Sequence, residues 1–420
     1  MSMDEAGLSG RRSLPNATAQ NRSIATLLPI MAVVLIAFLI IGLALPVLPL
    51  HVHLDLGLSA FVVGLVTGSQ FAASLLSRVW SGRYADSRGP KQAVIAGLFT
   101  AAVAGVLYLF SLRLVSAPLL SVTVLLLGRA LLGAAESLII TGGQSWGLAL
   151  VGSERAGRVI AWVGMAMFAA LALRAPIGTA LYSTGGFAAV ALTTILLPLV
   201  ALSIVAPLSP VAVHSGARPT LITVVGAVWM PGVGAALSTI GFGALLAFGA
   251  LLFAQRGWSP IWLAFCTFAI SLVAARAIFG QMPDRLGGAR VALICVVIEA
   301  AGLALIWLAP SRVLAAVGAA LTGFGYSLVY PGLGVEAVRR APPQSRGLAM
   351  GAYTVFLDVA LGFGSPALGL IASWAGLSAV FLASTFIVMC GAVIAIRLLI
   401  ASLPAQEAGE LTLSCSRSVA

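Results

Sequence analysis

Apolar runs of about twenty residues follow one another along most of this chain, separated by short polar breaks. Wound as an α-helix at about 1.5 Å per residue, such a run crosses the ~30 Å hydrocarbon core of a bilayer. Twelve runs can be placed. Six are Ala25–Leu50, Ala60–Ser81, Gln92–Leu112, Val122–Leu148, Val159–Tyr182 and Phe187–Ala206. The other six are Gly232–Phe253, Ile261–Phe279, Val291–Leu308, Val313–Val335, Gly347–Ala372 and Ala379–Ile400. A transmembrane barrel is excluded, because its strands are about 10 residues long and alternate in polarity. The predicted class is an all-α polytopic membrane protein.

The polar breaks carry a repeat. Arg78, Gly82, Asp86 and Gly89 form the frame Arg-x-x-x-Gly-x-x-x-Asp-x-x-Gly, and the same frame returns at Arg276, Gly280, Asp284 and Gly287. Each position is shifted by 198 residues, close to half the chain. Four fixed polar positions recurring at half length imply two similar halves. The expected organisation is a tail over 1–23, a six-helix bundle over 24–206, a linker over 207–224, a second bundle over 225–400 and a tail over 401–420. Part of Pro219–Met230 is a candidate interfacial helix. The first run is too long for a signal-peptide core and is expected to stay as the first span.

Composition agrees with a membrane chain: 60% of residues are hydrophobic, 8% are charged, and mean hydropathy is +1.10. The net charge of +11 does not point to nucleic acid, because its sources sit on one side of the predicted membrane. With the amino terminus inside, sixteen Arg or Lys fall in inner tails and loops, and only Arg113, Arg256 and Arg312 fall in outer ones. Both termini and both signature loops are then expected to be cytoplasmic. Cys266, Cys295, Cys390 and Cys415 lack metal spacing and read as small core residues. His51, His53 and His214 form no metal set, and no metal or cofactor is expected.

Six plus six spans, with this loop after spans two and eight, resemble the major facilitator superfamily. Gly82–Lys91 is similar to that family's signature Gly-x-x-x-Asp-Arg-x-Gly-Arg-Lys, with Ser87 and Arg88 departing from it, and Gly280–Arg290 is its second copy. Gly82–Lys91, Leu127–Gly133 and Tyr353–Pro366 more narrowly resemble a bacterial inner-membrane branch of drug-efflux-type members, the YhhS type. The resemblance implies a multi-pass protein of the bacterial inner membrane that works as a monomer. It also makes the signature a cytoplasmic gate, formed by Arg78, Gly82, Asp86, Arg88, Gly89, Lys91, Arg276, Gly280, Asp284, Arg285 and Gly287. Gly82 and Gly280 would permit close backbone approach, Gly89 and Gly287 would make the turns, and Asp86 would cap a helix or face a helix end.

A charge at the bilayer centre costs at least ~2.5–3.5 kcal/mol, so each one needs a reason. Arg129 matches the family's Arg-x-x-x-Gly element in span four, which the resemblance links to proton coupling. Glu136 is seven residues on, on the same helical face about 10.5 Å away. Arg174 in span five reaches a similar depth, and the three would form a buried polar network. If Arg174 pairs with Glu136, Glu136→Gln abolishes transport or expression and Arg174→Gly partly restores it. Asp358 has no charged neighbour within two turns of span eleven and is the first candidate to carry a proton. Glu299 in span nine reads as structural.

Pro176 with Gly178, and Pro366 with Gly369, break spans five and eleven and are candidate hinges. Antiporters of the family show Gly-Pro-x-x-Gly-Gly in span five; here Ala175 replaces the first glycine and Gly178 comes one residue early. Pro46 and Pro49 are expected to end span one. Gln70, Gln144, Trp162, Tyr326, Tyr330 and Tyr353 are candidate cavity residues for a small amphipathic substrate. No Gly-x-x-x-x-Gly-Lys-Ser/Thr loop occurs, and no paired His, Asp or Ser of a membrane enzyme. The expected activity is therefore secondary transport by alternating access, as proton-coupled efflux of a drug or metabolite. The alternative is a proton symporter or an uncoupled facilitator importing a sugar or organic acid.

Overall fold

A computed structural model of the chain describes residues 17–151, 156–211, 221–340 and 346–417. Side chains are described from Leu28 to Ala401, except at positions that include Gln144, Trp162 and Asp284. Among the described residues there is no strand. The helices are α1 (Ala17–Leu43), α2 (Ala60–Arg88), α3 (Pro90–Ser111) and α4 (Pro118–Val151). The next helix, Ala156–Val205, loses helical geometry at Gly185 and Gly186, where φ is 61° at Gly186. Its two arms are α5 (156–184) and α6 (187–205). Then come α7 (Leu221–Gln255), α8 (Leu263–Phe279), α9 (Gly288–Leu308), α10 (Arg312–Arg340), α11 (Arg346–Ala375) and α12 (Leu377–Arg417).

Among the described residues ten helices are long and apolar enough to cross a membrane. The shorter apolar α8 and the division at Gly185–Gly186 bring the passes to the twelve that the apolar runs predict. Span one runs further than its prolines imply. Pro46 falls in a turn after α1, but Pro49 sits in the first turn of a short helix, Leu48–Leu50, where its missing N–H costs nothing. A π-helical turn, His51–Asp55, carries the path onward. Of the candidate interfacial segment Pro219–Met230, the described part from Leu221 belongs to α7, which runs on through Pro231; Pro219 and Thr220 lie outside the described residues.

Packing repeats with a shift of six helices. The pairs α3–α4, α2–α4, α1 with the α5–α6 helix, and α3–α6 recur as α9–α10, α8–α10, α7–α11 and α9–α12. The two groups meet chiefly along α2 and α11, with smaller contacts between the α5–α6 helix and α8, and between Leu48–Leu50 and α7.

The repeat is visible in the backbone itself. Gly89, between α2 and α3, has φ 97° and ψ 151°; Gly287, before α9, has φ 90° and ψ 135°. Side chains other than hydrogen are strained there, at a cost of order 1–3 kcal/mol. Gly89→Ala and Gly287→Ala are each expected to lower the yield of folded protein, read by size-exclusion chromatography of detergent extracts. Gly82→Ala serves as the control, since a Cβ at Gly82 meets nothing within 4 Å. The close approach expected of Gly82 is therefore not realised in this structure.

Candidate functional site

Small residues let α2 and α11 touch backbone to backbone. A Cβ on Gly64 would stand 2.3 Å from the Ser365 carbonyl oxygen, one on Gly68 2.5 Å from that of Gly362, and one on Gly369 2.6 Å from that of Ala60. These contacts run from the end of the molecule opposite the signature loops towards the middle. The hinge residues of α11 lie in this seam: Pro366 packs on Gly64 and Gly68. The hinge of α5 does not. A Cβ on Gly178 would meet the Leu43 carbonyl oxygen at 2.2 Å, within the first half.

Further along α2 the seam becomes ionic. Arg78 Nη2 donates to Asp358 Oδ2, and Nη1 reaches Thr354 Oγ1 at 3.5 Å. Asp358 is thus not isolated. Its partner lies 280 positions away, on the other half, where inspection of span eleven alone does not reach. The repeat mate of Arg78, Arg276, behaves differently, donating from Nη2 to the Ser327 carbonyl oxygen of its own half at 2.6 Å.

Arg129 is fully buried and spends its guanidinium on α2 and α3. Nε donates to the Val66 carbonyl oxygen (3.3 Å), Nη2 to that of Thr67 and Nη1 to Tyr108 Oη (each 3.5 Å). No hydrogen bond joins it to Glu136. Instead Gln70 Nε2 donates to Glu136 Oε2 at 2.8 Å. Arg174 lies across Gly42 of α1, where a Cβ would come 2.2 Å from its Cδ. Among the described residues it makes no hydrogen bond or ion pair, and Glu136 acts on it only at longer range. The rescue expected of Arg174→Gly rests on a direct pair that this structure does not hold.

The two halves carry different chemistry at matching positions. Ser137 Oγ donates to the Ser74 carbonyl oxygen (2.7 Å), and Ser327 Oγ to that of Leu272 (2.8 Å). This equivalence sets Gln70 opposite Phe268, and Glu136 opposite Tyr326. Where the first half has a hydrogen-bonded polar pair, the second has a stack. Phe242 lies 5.3 Å from Phe268 and 5.1 Å from Tyr326, ring centre to ring centre. Tyr330 and Tyr353 pair at 5.2 Å, with Tyr353 Oη donating to the Tyr330 carbonyl oxygen (2.8 Å). Glu299 is fully buried and accepts from Ser238, in a space left by Gly241 and Gly325. The side chains of Gln144 and Trp162, expected at the cavity, lie outside the described residues.

The signature residues do several jobs. Lys91 Nζ donates to the carbonyl oxygens of Ala206 (2.8 Å) and Leu208 (2.6 Å), capping the end of α6. Arg285 Nη2 donates to Gln281 Oε1 at 3.0 Å, one turn away. Arg88 is exposed. Asp86 has an interaction partner. The Asp284 side chain lies outside the described residues.

Twelve helices in two matching sets of six, joined by a seam with ionisable groups at membrane depth, define a polytopic membrane transporter. The sequence profile of the Major Facilitator Superfamily matches residues 30–271 and 232–412. The chain belongs to the major facilitator superfamily. It is 43% identical over 381 residues to the uncharacterised MFS-type transporter STM4428 of Salmonella typhimurium, covering 91% of this chain and 98% of that protein. It is 41% identical over 352 residues to the uncharacterised MFS-type transporter YhhS of Escherichia coli K12, covering 84% and 87%. Among solved structures it resembles a D-xylose–proton symporter, with TM-score 0.71, 16% identity and coverage of 90% and 97%. The nucleoside transporter NupG gives TM-score 0.67, 15% identity and coverage of 89% and 99%. At such identity the likeness concerns the fold.

Proposed function

We propose that this transporter is a proton-coupled exporter of a small molecule, working by alternating access, with Asp358 as the proton-accepting group. The observation that carries the reading is the Arg78–Asp358 tie. Among the described residues it is an ionic contact between a helix of one half and a helix of the other. A proton on Asp358 removes the charge that Arg78 binds and loosens the tie. Proton binding then acts directly on the equilibrium between states in which the halves separate at one end or the other. The Gly64, Gly68 and Gly369 contacts hold the end opposite the signature loops shut.

Outward direction rests on the resemblance to drug-efflux-type members. The departures at Ala175 and Gly178 from the antiporter element favour a second reading, proton-linked uptake on the same fold. A compound screen of an efflux-deficient strain overexpressing the protein tests the proposal. Resistance to at least one compound is expected, lost when an uncoupler collapses the proton gradient. Sensitisation, or accumulation driven inward by the gradient, supports uptake instead. Transport that persists with the gradient collapsed overturns coupling.

A further inference from the structure

We infer that Arg174 is the anchor of an anion-binding subsite, so that the transported molecule carries a carboxylate or similar oxyanion. The inference rests on the transporter reading for its meaning, but not for its test. Arg174 lies about ten residues from the Gly185 break, some 15 Å along α5, half the thickness of a bilayer core. A guanidinium at that depth is costly and is ordinarily paired. The other three arginines within the helical core each have a donor–acceptor partner: Arg78 has Asp358, Arg276 has the Ser327 carbonyl, and Arg129 has the carbonyls of Val66 and Thr67. Arg174 has none among the described residues, and its side chain is half-buried. The nearby acid makes no direct contact with it: Glu136 Oε2 accepts from Gln70, and the carboxylate acts on Arg174 only at longer range.

The fold makes room for this side chain on purpose. Gly42 on α1 leaves the space through which the Arg174 stem passes. In the second half the sizes are exchanged. The matching pair is Ile240 on α7 and Gly364 on α11, where a Cβ on Gly364 would meet Ile240 Cδ1 at 2.3 Å. The bulky residue is thus an isoleucine from α7 there, and an arginine from α5 here. Packing alone is satisfied by an apolar side chain, so the charge in the first half serves something else. A planar, always-charged fork with free N–H groups suits a carboxylate or phosphonate in bidentate contact.

The test is binding to the purified full-length protein in detergent, followed by thermal unfolding. Sodium acetate, benzoate, succinate and phosphate are titrated against sodium chloride at equal ionic strength, with benzamide as the neutral counterpart of benzoate. At least one of the anions is expected to raise the unfolding midpoint saturably, and benzamide is not. Arg174→Gln is expected to weaken that binding by about tenfold to a hundredfold, the loss of one charge-assisted contact. Arg174→Lys should retain part of it. Gly42→Ala, which keeps the charge but displaces the stem, should weaken it too. Equal effects of benzoate and benzamide overturn the inference, as does anion binding that survives Arg174→Gln, or no anion binding at all. Anion binding without gradient-driven flux would instead remove the proton-coupled reading and leave the subsite standing.

Discussion

Asp358→Asn is expected to abolish gradient-driven transport while leaving the protein folded and able to exchange substrate down its own gradient. Asparagine has nearly the shape of aspartate and can still accept a hydrogen bond from Arg78. It cannot take up a proton, so the tie no longer changes between two strengths. The pair is partly exposed, at 29% for Arg78 and 13% for Asp358. It is therefore weaker than a fully buried pair, whose breakage costs about 3–5 kcal/mol. A contribution of about 1–3 kcal/mol still shifts a two-state equilibrium some 5- to 150-fold, enough to couple a proton to a change of access. Everted vesicles loaded with a substrate found in the screen, with and without an uncoupler, give the measurement. Asp358→Glu should keep part of the gradient response. Wild-type gradient dependence in the Asp358→Asn protein would show that the proton binds elsewhere.

Gly64→Val carries the second large effect, this time on conformation. The Cβ of any larger residue at position 64 falls 2.3 Å from a backbone oxygen of α11, and a helix backbone cannot swing aside as a side chain can. The halves must part along the α2–α11 seam near Ala60 and Gly369. We expect transport to fall below a tenth of wild type. We also expect a cysteine placed at Ser59, in an otherwise cysteine-free protein, to react with a membrane-impermeant maleimide much faster in the Gly64→Val background. An unchanged labelling rate would mean that this seam does not close that end. Gly68→Val should act in the same direction, through the Gly362 carbonyl oxygen.

Much of the architecture could be read from residue order. Twelve apolar runs gave the passes, since helix length and bilayer thickness leave little choice. The repeat of Arg78, Gly82, Asp86 and Gly89 was visible because the first two helices of each half keep one offset of 198. The chemical difference between the halves was hidden. The helices carrying Glu136 and Tyr326, or Arg174 and Gly364, stand 190 positions apart, so the constant offset that exposes the loops fails there. The prolines of span one predict its end, but Pro49 occupies a first-turn position that tolerates it. Gly82 was given a close contact that its neighbours in space do not provide. Arg129 and Glu136 share a helical face, yet Arg129 bonds backbone carbonyls of α2 and Tyr108 of α3 and Glu136 bonds Gln70 of α2, because groups on an adjacent helix are closer than a residue two turns away.

Membership of a duplicated, twelve-helix transporter family was decided by the sequence alone, through hydrophobic length, loop charge and a doubled polar signature. Those are local properties, governed by transfer of side chains between water and lipid and by the backbone's need to satisfy itself within each helix. Which charge answers which was decided only in three dimensions. Arg78 meets Asp358, Gln70 holds Glu136, Lys91 caps α6, and Arg174 has no partner among the described residues. Each of these depends on how α1 to α12 are laid beside one another, and glycines such as Gly42 and Gly64 acquire their purpose only once a neighbouring helix is there to fill the space they leave.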